Sequence, residues 1–209
     1  MVEIKFGSRT VDVPYTIQLY GVTPQLFDEL LDEDTKAELI HGVMFVCSPH
    51  SQRHENVAEF LRSLMRCYAA KKGLGSVLRP DRHLRIKEGI RVGPDLFFLT
   101  KDRVPNPLPK EYKGVPDLIL ELLSLSNYDV HWREKRPLYR QAGVKEIWFV
   151  ALDQQQIIID RLRGRYYVTV TKNSGRVESS IIKGFWIEAD WLWSDPLPNE
   201  MQCLRDLLR

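Results

Sequence analysis

Apolar residues recur along this chain with two different periods, and the switches between them mark its elements. Val57, Ala58, Leu61, Leu64, Met65 and Tyr68 repeat every three to four residues, which predicts an amphipathic helix over Gln52 to Lys71, ended by Gly73 and Gly75. Thr23-Pro24 before F-D-E-L-L predicts an N-cap, a proline in the first helical turn and a short helix to about Leu31. A second short helical piece is expected around Asp34 to Leu39, then a turn at His41-Gly42 and a strand over Val43 to Cys47. Residues 1 to 22 read as β-rich and irregular. Strands follow near Ser76 to Leu78 and Arg82 to Ile86, and, after a turn at Glu88-Gly89, at Asp95 to Leu99. Pro105, Pro107 and Pro109 mark a loop.

The stretch Asp117 to Leu123 is almost continuously apolar, which predicts a strand buried on both faces. A helix is expected to run from there to about Ala142, where Gly143 stops it. Glu146 to Leu152 is another apolar strand, followed by a hairpin of Ile157 to Leu162 and Tyr166 to Thr171 around Arg163-Gly164. The tail contains a strand near Val177 to Ile182, a segment with Trp186, Trp191 and Trp193, and a last short helix. This order implies an α/β fold, a mixed sheet flanked by helices. No linker divides residues 1–209, so one domain is expected.

Composition changes this picture little. The 44% of hydrophobic residues is enough for a substantial core, which argues against disorder. The net charge of +2 does not itself indicate a nucleic-acid partner. Three cysteines without C-x-x-C spacing argue against a disulfide framework and for a reducing cytoplasm. The first residues hold no apolar signal region, and no run is long enough for a membrane helix, so a soluble cytoplasmic protein is expected.

Candidate chemistry begins with Glu121. Alternation along its strand puts Asp117, Ile119, Glu121 and Leu123 on one face and Leu118, Leu120 and Leu122 on the other. A carboxylate in so apolar a strand requires a metal, a cation or an exit to water. Asp95 opens another apolar strand directly after Pro94. It is either a solvated strand-start residue or, if the two strands share a sheet, a partner of Glu121 around a hard divalent cation. Trp132, Lys135, Tyr139 and Ala142 fall on one helical face, the inward one, so Lys135 either snorkels or meets a carboxylate. Pro137 requires that helix to start near Arg133 or to kink.

Cys47, His50 and His54 form a second constellation with C-x-x-H-x-x-x-H spacing, which suggests zinc. Against that, Pro49 lies between strand and helix, no fourth ligand is near, and an inward His54 reads equally as a capping or core histidine. Arg79, Arg82, Arg85, Lys87, Arg133 and Arg136 could hold phosphates or form ordinary solvated faces.

Four segments together resemble a bacterial family of putative restriction endonucleases, a branch of the PD-(D/E)xK nuclease superfamily. They are A-E-L-I-H-G at Ala37 to Gly42, P-D-L at Pro94 to Leu96, E-L-L-S at Glu121 to Ser124, and E-K-R-x-L-Y-x-x-A-G-V at Glu134 to Val144. The resemblance covers about residues 23–162, leaving 163–209 as a β-rich, Trp-rich extension. It implies a restriction-endonuclease-like core. It also implies Asp95 and Glu121 as ligands of Mg2+, with Mn2+ as a substitute, helped by the Leu122 carbonyl. Glu38 matches the family's acidic residue from the first helical region. The superfamily's lysine normally stands two residues after the glutamate, where this chain has Leu123, and Lys135 is the relocated candidate. His41 replaces the family's usual aspartate. DNA as substrate and a homodimer acting on its two strands follow from the resemblance. The alternative is a nuclease-like fold kept as a non-catalytic DNA-binding or interaction module.

Overall fold

The computed structural model describes residues 5–6, 9–10, 15–31, 37–78, 83–107, 109, 111–124, 128 and 130–209. Its elements are β1 (Lys5–Phe6), β2 (Arg9–Thr10), β3 (Thr16–Tyr20), α1 (Pro24–Leu30), β4 (Ala37–Ile40), β5 (Val43–Cys47), α2 (Gln52–Lys72), β6 (Gly75–Leu78), β7 (Leu84–Lys87), β8 (Ile90–Val92), β9 (Leu96–Thr100), β10 (Tyr112–Lys113) and β11 (Leu118–Leu123). A π turn, Val130–Lys135, leads into α3 (Arg136–Ala142). Then come β12 (Glu146–Ala151), β13 (Gln156–Arg163), β14 (Tyr166–Lys172), β15 (Arg176–Glu178), β16 (Trp186–Glu188), α4 (Asp190–Trp193) and α5 (Glu200–Leu208).

The fold is mixed α/β, as expected, but with two six-stranded sheets where the sequence suggested one. The first runs β10-β7-β8-β4-β5-β3 and the second β14-β13-β12-β11-β9-β6. Each is mixed: β10 lies parallel to β7, β11 lies parallel to β12, and the other pairs are antiparallel. Leu118, Leu120 and Leu122 turn to one side of β11, where they pack with α2 and with Val177, Phe185, Leu192 and Leu207 of the C-terminal segment. Ile119 and Leu123 turn to the other side, which packs against the first sheet and α3. The alternation read from the sequence therefore holds, with every β11 residue buried.

Several segments differ from expectation. Glu38 lies on a strand, not a helical piece; β4 pairs antiparallel with β5, which satisfies its backbone in a ladder, while residues 34–36 of the expected helix lie outside those described. The hairpin turn is His41-Gly42, both at positive φ (51° and 80°), as a two-residue turn between twisted strands requires. Histidine tolerates that region better than most residues, so the departure from the family's aspartate leaves the turn intact. Strand β8 was not anticipated; three residues are too short for a periodic signal, and β8 owes its order to pairing with β7 and β4. The strand expected to reach Ile182 ends at Glu178, because Ser179 Oγ accepts hydrogen bonds from the backbone N–H groups of Ile181 and Ile182, a local turn that competes with the ladder.

Helix α2 has Ser51 as its N-cap, its side chain accepting from the His54 N–H at 3.2 Å, and ends at Gly73 in the left-handed region. In α3, Pro137 falls in the first turn, where a missing N–H leaves no intrahelical bond unmade. The helix is then clamped from outside. Arg136 and Arg140 each bond both oxygens of the buried Asp160 on β13, at 2.7–2.9 Å. Trp191 packs edge-on against Phe60 and at 5.5 Å against Trp186, so the tryptophans of the tail cover the α2 side of the core. No described helix is long and apolar enough to cross a membrane.

Burial alone would raise the Asp160 carboxyl, but hydrogen bonds from Arg136, Arg140 and Thr169 reverse this and hold it at about 2. The folded value lies below the ordinary 3.8, so the stabilisation is present above about pH 4 and is lost as pH falls toward 2. It amounts to roughly 2 kcal/mol. Urea denaturation across pH 2 to 7 should show a stability gain over that acid range that Asp160→Asn reduces by about this amount.

Candidate active site

Four elements bring the predicted residues together. Glu38 comes from β4 in the first sheet, Asp95 from the residue before β9, Glu121 from β11, and Lys135 from the last position of the π turn. Lys135 is fully buried, as the inward stripe implied. Its Nζ lies 2.5 Å from Glu121 Oε1 and 2.8 Å from Glu38 Oε1. Glu121 is also fully buried, whereas the Glu38 and Asp95 side chains keep 15% and 11% exposure. Solvent therefore reaches this centre on the side of Glu38 and Asp95.

The backbone fixes two of the acids. Asp95 Oδ2 accepts the Leu122 N–H at 2.7 Å, which joins the start of β9 to the end of β11. Glu38 Oε1 accepts the Gly93 N–H at 2.8 Å. Tyr139, one helical turn after Lys135, donates its hydroxyl to Glu121 Oε1 at 2.6 Å and is fully buried. The sequence reading placed Tyr139 on the inward stripe but gave it no role. The signal was present: a phenol four residues from an inward lysine faces whatever that lysine faces. His54 is 1% exposed, with Nε2 3.7 Å from Asp95 Oδ2.

The electrostatics follow from crowding. Burial raises the Glu121 carboxyl, and the Asp95 and Glu38 charges raise it further against the opposing pull of Lys135. Burial lowers Lys135, but Glu121 and Glu38 outweigh that and raise it, so the ammonium stays charged. Burial and the same carboxylates raise Tyr139 well above its usual range, which keeps it a donor. Three ionised carboxylates and one ammonium would leave two negative charges in a largely dry site. That suits a divalent cation with a preference for oxygen ligands. Asp95 and Glu121 offer carboxylate oxygens of the kind such an ion prefers.

Some candidates do not join this centre. Cys47 Sγ faces Thr16 Oγ1 at 3.7 Å, so the C-x-x-H-x-x-x-H set does not assemble. Arg85 is held by Glu111 at 3.2 Å and Arg136 by Asp160, which leaves Arg136 a structural role. Lys87 and Arg133 are exposed, and Arg79 and Arg82 lie outside the described residues.

The chain belongs to the Uma2 family, described as putative restriction endonuclease, whose profile matches residues 24–190. No curated protein matches it. Among solved structures it is similar to a putative nuclease belonging to DUF820 from Anabaena variabilis, with 14% identity and a TM-score of 0.72, over 82% of this chain and 97% of that one. At that identity the likeness shows the fold. Family and fold together support a nuclease function.

The Lys135–Glu121 pair makes a thermodynamic prediction. Lys135→Met leaves a buried carboxylate facing two others and should cost about 3–5 kcal/mol in metal-free denaturation. Adding Glu121→Gln should restore a large part of that loss, because the uncompensated charge goes with it. Equal losses in the single and double variants would show that the pair is not coupled.

Proposed function

We propose that this protein is a Mg2+-dependent endonuclease that hydrolyses DNA phosphodiester bonds, with Mn2+ as a substitute ion. The observation that carries the reading is the meeting of Glu38 and Glu121 on Lys135, with Asp95 tied to Leu122 next to Glu121, within one buried, partly open centre. Asp95 and Glu121 would hold the ion, with the Leu122 carbonyl completing the protein's share. Bound there, it supplies a Lewis acid for the phosphoryl oxygen and lowers the pKa of a coordinated water.

The chain's own groups do the rest. The Lys135 ammonium stabilises negative charge gathering on the phosphoryl oxygens and orients the attacking water. Glu38 aims Lys135 through its 2.8 Å contact and is itself fixed by the Gly93 N–H. Tyr139 fixes the Glu121 carboxylate. The Leu122 N–H fixes Asp95, so both proposed ligands are oriented by bonds from within the fold. DNA as substrate is supported by the family description, and a homodimer would present one such centre to each strand of a duplex.

One observation favours a second reading, a non-catalytic DNA-binding module: Lys135 already pairs with Glu121, one of the two carboxylates that an ion would need. Calorimetry with Mn2+ and a plasmid-cleavage assay separate the two. The wild type should bind Mn2+ and cut only with Mg2+ or Mn2+. Asp95→Asn and Glu121→Gln should lose both properties. Lys135→Ala should bind Mn2+ at least as well as wild type, because a competing cation is gone, yet cut about a hundredfold or more slowly. Ion binding without any cleavage would select the module, and undiminished cleavage by metal-free wild type would refute the endonuclease.

A further inference from the structure

Beside the acidic centre, at the start of α2, His50, His54 and Glu55 bring one ligand atom each within 4.8 Å of the others. We propose that these three residues form a second cation site, for a first-row transition ion of the zinc type, separate from the Mg2+ site proposed above.

A first argument is the donor set. Two imidazoles and one carboxylate are soft enough for Zn2+ and too nitrogen-rich for Mg2+. Three protein ligands leave a fourth position for water or a substrate oxygen. A second argument is distance. A tetrahedral ion with bonds near 2.0–2.1 Å holds its ligands about 3.3 Å apart. His50 Nδ1 and Glu55 Oε1 are already 3.3 Å apart, and all three ligand atoms lie within 4.8 Å of one another, so side-chain rotation would bring them onto one ion.

The independent observation is His54. Its ring is 1% exposed, yet neither Nδ1 nor Nε2 has a hydrogen-bond partner among the described residues. A buried polar ring left in that state is destabilising, and a metal bond would offset the loss. Nearby Asp95, 3.7 Å from His54 Nε2, is the kind of carboxylate that commonly supports a metal-bound histidine. The positive end of α2 opposes a cation, and the Glu55 carboxylate in the first turn offsets it. Of the C-x-x-H-x-x-x-H set, the two histidines remain, and Glu55 stands in place of Cys47. An ion there would tie the start of α2 to the strand end that carries Asp95.

The test uses the full chain in a Glu121→Gln background, where the acidic centre cannot hold an ion while Asp95 still supports His54. Titration with Co2+, read by visible absorption, and with Zn2+, read by calorimetry, should find one ion per chain with tetrahedral cobalt bands. A large excess of Mg2+ should not displace it. Because loss of a supporting group alone weakens metal sites 10–100-fold, His50→Ala or Glu55→Gln should each weaken binding by about a hundredfold or more. Both residues are partly exposed, so the fold should survive, which circular dichroism checks. No binding in the background, or binding that His50→Ala and Glu55→Gln leave unchanged, overturns the proposal. None of these readouts depends on DNA cleavage, so the endonuclease reading stands or falls separately.

Discussion

The structure turns on one buried ion pair. Strand β11 is buried along its whole length, yet Glu121 sits within it. Such a charge is tolerated in a dry interior only if a cation meets it with good geometry and its remaining lone pairs are bonded. Lys135 and Tyr139 supply the cation and a bond. Both come from the segment that joins β11 to β12, so that segment must pack back over the face of β11 that carries Glu121. The Asp160 clamp on Arg136 and Arg140 then holds the helix from a second side. Because Lys135 also reaches Glu38, the same ammonium joins the first sheet to the second.

Much of this was legible in the residues, for a definable reason. Alternation in β11 depends only on strand geometry, and the Lys135 stripe only on helical spacing, so both survived folding. So did the caps at Thr23 and Gly73, which are local. The errors fall where long-range pairing decides. Ala37 to Ile40 is only four residues long, and its pairing with β5 and β8 makes it a strand. The first sheet was not visible as a separate sheet because several of its strands are two to four residues long and ordered by neighbours distant in sequence. Within the site, Glu121 and Lys135 stood out as charges at apolar positions and Asp95 as the opening of an apolar strand, whereas Glu38 came from the family resemblance alone. Tyr139 was missed because a buried tyrosine is no anomaly until its hydroxyl's partner is known.

The position of the lysine has a structural consequence of its own. Leu123, at the superfamily's usual position, shares the Glu121 face of β11 and is buried among Phe97, Leu99, Ile147 and Phe149. An ammonium there would leave the same strand as the carboxylate and run beside it. From the end of the π turn it meets Glu121 head-on instead, and still reaches a carboxylate on another sheet. The π turn is what makes this aim compatible with Pro137: the irregular winding ends at Lys135, and the regular helix begins with proline already in its first turn. The feature that looked like an obstacle to aiming Lys135 is thus part of how the chain aims it. It also binds the lysine's chemistry to the fold's stability, since the group that would steady charge on a phosphate is the same one that neutralises Glu121 when no ion is bound. A divalent ion at Asp95 and Glu121 would release the ammonium from the second duty and leave it to the first, which gives the relocation a physical logic that a lysine fixed along β11 would not share.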